Sequence, residues 1–240
     1  MADGDGDATA QAAAKFDAAR AGEYDRQSRI ALAGYDACHD LAACMLSAAL
    51  GPGTPARLLV AGVGTGQEVL SIGALEPSWT YTAVDPAPAM IAIAGERLAA
   101  AGLGERVALR LGRVEDLPPE TFDGATLIGV LHHLPGQAAK AAILAAVAAR
   151  LRPGGAFVLA CNQCAYAEQP LLLAAWRQRW RAQGVADEAC DAMLGKILQG
   201  ADPPPSEQAV VDLLAAAGFE RPTRFFSSLF WSAWLARKAP

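Results

Sequence analysis

Aromatic side chains are scarce: Phe, Trp and Tyr make up 7% of the 240 residues, although 53% are hydrophobic. Much of the apolar content is alanine, which favours helix and close packing but buries little area per side chain. Charged residues are few, at 19%, and their balance is acidic, with a formal net charge of −5. A chain without clustered Lys and Arg is a poor partner for phosphate backbones. Arg177, Arg179 and Arg181 come nearest to a basic patch, with Arg221 and Arg224 a weaker second. On a helix Arg177 and Arg181 share a face and Arg179 points away, so they read as a solvated surface. Long hydrophobic runs are missing too. Gly, Pro and charge break each apolar stretch before the roughly 20 residues that a bilayer span needs. The five cysteines, Cys38, Cys44, Cys161, Cys164 and Cys190, are odd in number and irregular in spacing. That argues against a disulfide framework and fits a reducing cytoplasm. Cys161-x-x-Cys164 has no two further ligands at sensible spacing, so no metal site is expected. The opening Met1 to Asp7 is acidic, unlike the basic start of a signal peptide.

What is present is an alternating pattern. Residues 1–12 are small, acidic and without apolar periodicity, which predicts a disordered tail. From residue 13 to 50 the pattern is helical, with a break at Gly34, and predicts an N-terminal helical segment outside any sheet. Gly51-Pro52-Gly53-Thr54-Pro55 marks a boundary. Strands are then expected at Arg57–Ala61, Trp79–Val84, Val107–Leu111, Gly124–Leu131 and Ala156–Ala160. Helices are expected at Gln67–Leu75, Pro88–Ala101 and Ala138–Leu151, with Pro153-Gly154-Gly155 as a stop. Such alternation predicts a doubly wound, mostly parallel α/β sheet. Residues 165–204 read as a helical insert carrying Trp176 and Trp180, four apart on one face. Ser206 can cap a helix to Ala217. Arg224–Phe230 and Trp231–Ala236 lie almost back to back, so the last strand is expected to be antiparallel. All of this fits one domain over residues 13–240.

The most informative stretch is Leu58-Leu59-Val60-Ala61-Gly62-Val63-Gly64-Thr65-Gly66-Gln67-Glu68. It reads as strand, turn and helix. Glycines at alternate positions let the backbone turn sharply and approach a ligand, and the helix N-terminus behind them offers free N–H groups. Asp85 closes the next strand about 20 residues on, where a carboxylate can accept both ribose hydroxyls. A dinucleotide turn is Gly-x-Gly-x-x-Gly. Here Gly66 comes one residue early.

With these residues in place, the chain resembles the class I S-adenosylmethionine (SAM)-dependent methyltransferases. Gly62, Gly64 and Gly66 match that family's first motif, and Asp85 its ribose-binding acid. Glu115-Asp116-Leu117-Pro118 resembles the loop bordering the adenine. Gly129-Val130-Leu131-His132-His133-Leu134 resembles the fourth-strand motif, and Arg152-Pro153-Gly154-Gly155 the turn into the fifth strand. The resemblance covers roughly Arg57 to Lys238 and implies a Rossmann-like fold with an antiparallel C-terminal strand. It implies SAM as cofactor and S-adenosylhomocysteine as product. The cofactor would lie along Gly62, Gly64, Gly66, Gln67, Asp85, Pro86, Met90, Glu115, Asp116 and Gly129. Tyr24, Arg26 and Tyr35 of the N-terminal segment would fold over it as a lid. Tyr24-Asp25-Arg26-Gln27, Gly64-Thr65-Gly66-Gln67-Glu68 and the C-terminal hairpin resemble more narrowly a bacterial subgroup. That subgroup is related to the carboxy-SAM synthase and to tRNA wobble-uridine methyltransferases. Many family members carry an acid two positions before the first motif glycine, where Val60 stands. That implies weaker binding, or a transfer of its role to Glu68 or to backbone carbonyls near Gly62 and Gly129. Arg113 stands where an Asp often meets the adenine amine.

Methyl transfer from a sulfonium needs in-line positioning, and a general base only for a protonated acceptor. The candidate bases are His132 and His133, at the carboxyl edge of the sheet, and His39, with Asp36 three residues before it. The Trp176–Trp180 face either docks the insert or lines a substrate pocket. The expected activity is methylation of a small molecule in the cytoplasm, with neither nucleic acid nor membrane as partner and homodimerisation left open. The alternatives are a tRNA or protein methyltransferase, carboxy-SAM chemistry, and a non-catalytic SAM-binding subunit.

Overall fold

The structure, a computed structural model, describes residues 18–240. The expected tail, and the start of the expected lid through residue 17, lie outside the described residues. Two helices open the described chain, α1 (Ala18–Ala31) and α2 (Tyr35–Leu50). Alternation follows with β1 (Arg57–Ala61), α3 (Gln67–Leu75), β2 (Thr80–Asp85), α4 (Pro88–Ala100), β3 (Val107–Leu111), β4 (Phe122–Ile128), α5 (Gly136–Ala148) and β5 (Leu151–Asn162). The insert contains α6 (Pro170–Ala182) and α7 (Asp187–Gly200). Then come α8 (Glu207–Ala216), β6 (Phe219–Ser228) and β7 (Trp231–Lys238).

The sheet order is β3-β2-β1-β4-β5-β7-β6. Strands β1 to β5 pair in parallel, and β7 runs antiparallel to both β5 and β6. This is the class I methyltransferase fold. A parallel strand in this setting is buried on both faces, and β1 shows how. Leu58 and Val60 enter the core beneath α2, α3 and α4, with Leu46, Val69 and Ile72. Leu59 and Ala61 enter the opposite core with Leu144, Val147, Phe157 and Trp234. Strand β1 has β2 on one side and β4 on the other, so the chain reverses direction across the sheet at that point. Ligand crevices of open α/β sheets form there, beyond the strand carboxyl ends.

Several boundaries differ from expectation, most at β4, β5 and β6, and β6 begins at Phe219 rather than Arg224. Strand β4 ends at Ile128 rather than Leu131, because Gly129 turns out of the strand at φ 79° and Leu131–His133 form a 3₁₀ turn. Strand β5 begins at Leu151, not Ala156. Phe122 pairs with Leu151 and Gly124 with Ala156, so a bulge absorbs the Pro153-Gly154-Gly155 stretch inside the strand. That segment therefore bends β5 and does not precede it. The cap on α8 forms as expected, with the Ser206 hydroxyl accepting the Ala209 N–H at 3.1 Å. Among the described residues no helix is long and apolar enough to cross a membrane.

The insert has its own cluster of Tyr166, Trp176, Trp180, Cys190 and Phe230. Its two tryptophans dock it. Both indole N–H groups donate to the Ala31 carbonyl, Trp180 at 3.3 Å, and Arg179 Nη2 donates to the Arg29 carbonyl at 3.2 Å. The last carbonyls of α1 have no partner within the helix, and the insert supplies it. The neighbouring arginines are neutralised: Arg177 pairs with Asp187 (3.1 Å) and Asp191 (2.8 Å), and Arg181 with Asp187 (2.9 Å). Trp180 is fully buried. Trp180→Ala is expected to lower unfolding free energy by about 3–5 kcal/mol in denaturant titration. A loss under about 1 kcal/mol would show that the insert is not part of the cooperative core.

Candidate functional site

The glycine turn is built from three different requirements. Gly62, at φ 73°, is pressed against the β4 loop, where a Cβ would sit 2.3 Å from Val130 Cγ2. Gly66, at φ 87°, lets α3 approach α4, with Leu98 Cγ 3.4 Å from the position of a Cβ. Gly64, at φ 51°, would have nothing within 4 Å of a Cβ, so its bare backbone faces open space. The turn is tied to β2: Gly62 and Val63 N–H both donate to the Val84 carbonyl, at 2.8 and 3.0 Å. The Asp85 carboxylate completes the tie. Its Oδ2 accepts the Gly64 N–H and its Oδ1 the Ala87 N–H, each at 2.9 Å. Burial pushes the Asp85 carboxyl upward, and these two N–H groups oppose that.

A narrow cleft, with a cavity volume of about 30 Å³, lies over the turn. The stretch Gly62 to Glu68, the Ile128–Gly129 end of β4, Trp231 of β7, and Tyr24, Leu32, Tyr35 and His39 from the N-terminal helices form its walls. Its electrostatics are acidic. Glu68 is 4% exposed, and its Oε1 has no hydrogen-bond partner. Burial, reinforced by Asp85 and Asp25, pushes its carboxyl up to about 8 against the pull of its own backbone N–H. Burial also raises Tyr24 to about 12, and Tyr35 further. His39 is buried, with Nδ1 at 2.9 Å from the Tyr35 carbonyl oxygen. That partner can only accept, so Nδ1 carries the hydrogen and Nε2 keeps its lone pair. Burial lowers the His39 pKa, which holds the ring neutral at pH 7.

Helices α1 and α2 are strapped over the turn. Asp25 accepts the Thr65 hydroxyl and pairs with Arg97 Nη1 at 2.6 Å. Arg97 also donates to the Thr65 carbonyl (2.8 Å) and to Gln67 Oε1 (3.0 Å), an oxygen shared with Arg29 at 3.3 Å. Arg29 in turn pairs with Asp36 at 2.8 Å. Gly34 joins the two helices at φ 80°, where a Cβ would meet the Phe226 ring at 2.8 Å.

The structure thus brings together Gly62, Gly64, Gln67, Gly129, Tyr24, Tyr35 and His39, with Asp85 beside the turn. Met90 is buried against Ala87 and Tyr24, just past the half-buried Pro86. Three assignments fall elsewhere. Arg26 points to solvent, paired with Glu23 at 2.6 Å. It lies about 200° around α1 from Tyr24 by helix geometry, so the helical period itself placed it on the wrong face. Glu115 and Asp116 are exposed and do not line the cleft. Asp116 accepts the Arg113 N–H at 3.0 Å, and Glu115 pairs with the Arg113 side chain at 3.5 Å. The histidine pair also stands outside the cleft lining. His132 is buried edge-on to Trp231 at 5.9 Å, with Nδ1 3.4 Å from the Asn162 N–H, and His133 stacks on it at 4.2 Å. Asp36 is engaged by Arg29, and the Tyr35 carbonyl rather than Asp36 orients His39. The strap formed by Asp25, Arg29 and Arg97 was not read from the sequence. The four-residue spacing of Asp25 and Arg29 was a usable signal, but their meeting with Arg97 is tertiary.

Residues 59–157 match the family model of a methyltransferase domain. An uncharacterized protein of Synechococcus sp. is 40% identical over 104 residues, 41% of this chain and 24% of that protein. The ubiquinone biosynthesis O-methyltransferase of Xanthomonas axonopodis pv. citri is 36% identical over 108 residues, 44% of this chain and 43% of that enzyme. The matched stretch thus spans less than half the length of these curated relatives. Among solved structures, human N-acetylserotonin methyltransferase in complex with SAM superposes with a TM-score of 0.60 at 19% identity, over 86% of this chain and 52% of that one. The mitomycin 7-O-methyltransferase gives 0.61 at 20% identity, over 85% and 54%. Over residues 59–157 the chain is thus similar to a methyltransferase domain, and its fold is that of these solved methyltransferases.

The buried Glu68 carboxyl has a consequence for stability. Folding raises its pKa, so the folded state holds the proton more tightly than the unfolded chain. Its contribution is fully present below the ordinary Glu range and is lost as pH rises through about 8. His39 acts below about pH 6.5 with the opposite sign and is common to wild type and variant. The stability of wild type minus that of Glu68→Gln is expected to fall from pH 5 to pH 8 in parallel denaturant titrations. A flat difference would show that Glu68 ionises normally.

Proposed function

We propose that the chain is a SAM-dependent methyltransferase acting on a small-molecule acceptor. The observation that carries this is the pairing of the bare Gly64 backbone with the buried Asp85 carboxylate at the sheet's switch point. The residues present fit the cofactor. Asp85 retains lone pairs for ribose hydroxyls, the glycine turn leaves room for a chain laid along it, and the acidic cleft suits a cationic ligand. When bound, SAM supplies a methyl group already activated by its sulfonium.

The chain's own residues do the rest. Turn and carboxylate hold the donor in one orientation, so the reacting atoms meet in line. Tyr24, Leu32 and Tyr35 close the cleft and exclude water. His39, neutral and held by the Tyr35 carbonyl, takes up the proton of a hydroxyl or ammonium acceptor at Nε2. His132 and His133 shape the loop behind Trp231. A small acceptor is supported by the ion pairing of Arg177, Arg181 and Arg224 with acids, so these three, among the described residues, offer no free basic patch to a nucleic-acid backbone. It is also supported by the relatives named for ubiquinone biosynthesis and for mitomycin 7-O-methylation. Carboxy-SAM chemistry would need a cation facing the sulfonium substituent, and the same three arginines, the candidates for it, are engaged with acids.

Isothermal titration is expected to show SAM and S-adenosylhomocysteine binding and no NAD binding, and tighter NAD binding would overturn the reading. Asp85→Ala is expected to weaken S-adenosylhomocysteine roughly tenfold or more, the scale of losing hydrogen bonds to a charged acceptor. An unchanged dissociation constant in a variant with native circular dichroism would remove Asp85 from the site. Bulk tRNA at moderate salt is expected to leave the protein unbound. A tight, steeply salt-dependent complex would instead favour a nucleic-acid substrate.

A further inference from the structure

We infer that Glu68 is the counter-ion for the α-ammonium of the ligand, so that the cleft selects ligands carrying an amino-acid cation; this rests on the proposed cofactor reading. The first observation is an unsatisfied oxygen. Glu68 is 4% exposed, lines the cleft, and has Oε1 without a partner. Buried polar atoms in folded proteins are almost always hydrogen-bonded, so an orphaned carboxylate oxygen facing a cavity marks the place of a missing donor.

The second observation is that the protein's own cations at this end are committed elsewhere. Arg97 is engaged by Asp25, the Thr65 carbonyl and Gln67, and Arg29 by Asp36 and Gln67. The groups facing Glu68 are Asp25 and Tyr24 from α1, Tyr35 and His39 from α2, and Asp85 from β2. Two of these are acids, two are phenols, and the His39 ring is held neutral, so none brings a positive charge to Oε1.

The third observation is that no other carboxylate among the described residues lines the cleft. Val60 on β1 is apolar and fully buried. Both Asp85 oxygens hold backbone N–H groups on the β2 side of the turn. Glu68 alone among the acids of the described residues lines the cleft. Without a cation, burial and its acidic neighbours keep the Glu68 proton in place. An arriving ammonium reverses that balance, so Glu68 ionises and its proton leaves to solvent as the ion pair forms.

The test uses the full chain at pH 7, titrated calorimetrically with S-adenosylhomocysteine and with 5′-methylthioadenosine. The second ligand has the same adenosine and a thioether but no amino-acid group. Two buffers of different ionisation enthalpy report proton release. Wild type is expected to release close to one proton with S-adenosylhomocysteine and none with methylthioadenosine. Glu68→Gln is expected to weaken S-adenosylhomocysteine about tenfold or more, as for a lost charge-assisted contact, with no proton release. Methylthioadenosine affinity is expected to be unchanged. Equal loss for both ligands, or no loss for either, would overturn the assignment. A much larger loss for SAM than for S-adenosylhomocysteine would place Glu68 against the sulfonium and overturn the ammonium assignment too. If wild type binds neither adenosine ligand, the cofactor reading itself fails and the role of Glu68 with it.

Discussion

The contact between the Asp85 carboxylate and the Gly64 amide governs the geometry of the site. It ties the turn after β1 to the end of β2, across two strands held in parallel register. The tie works only if Gly62 can lie flat against Val130 and Gly66 can let α3 approach α4. A side chain at Gly62 would collide with Val130 and push the turn off the strand ends, where Asp85 would lose its donors, while at Gly66 it would strain a backbone held at φ 87°. A buried carboxylate without donors is costly, so the charge and the glycines require each other.

The N-terminal helices depend on that turn in turn. Asp25 and Arg29 hold it through Thr65, Gln67 and Arg97, which are the turn's own residues or its neighbour on α4. The far end of α1 is held by a different part of the chain, since Trp176, Trp180 and Arg179 take its last carbonyls. The helix is therefore held at its middle by the glycine turn and at its C-terminal end by the insert.

The cleft also has a consistent charge logic. Glu68 is the acid among the described residues that lines it, with Asp85 beside the turn at the end of β2, while the nearby arginines are spent on the strap. The other walls are apolar, phenolic or uncharged polar side chains and glycine backbone, and burial lowers the His39 pKa.

The sequence by itself determined the class of fold. Short apolar runs bounded by Gly and Pro alternated with helical periods, and parallel strands buried on both faces have no other common solution. The turn was legible for the same local reason, because Gly62, Gly64, Gly66 and Asp85 act within one β-α-β unit. The start of β5 was misread because Pro153-Gly154-Gly155 looks like a stop, whereas pairing with β4 draws it into the sheet as a bulge. Arg26 was misplaced although the helical period carried the answer. The place of His39 in the cleft wall, the pairing of the arginines and the unpaired oxygen of Glu68 were decided by tertiary structure alone. Each depends on which groups from distant segments arrive at one point, and a buried charge or imidazole takes its state from those neighbours rather than from its place in the chain.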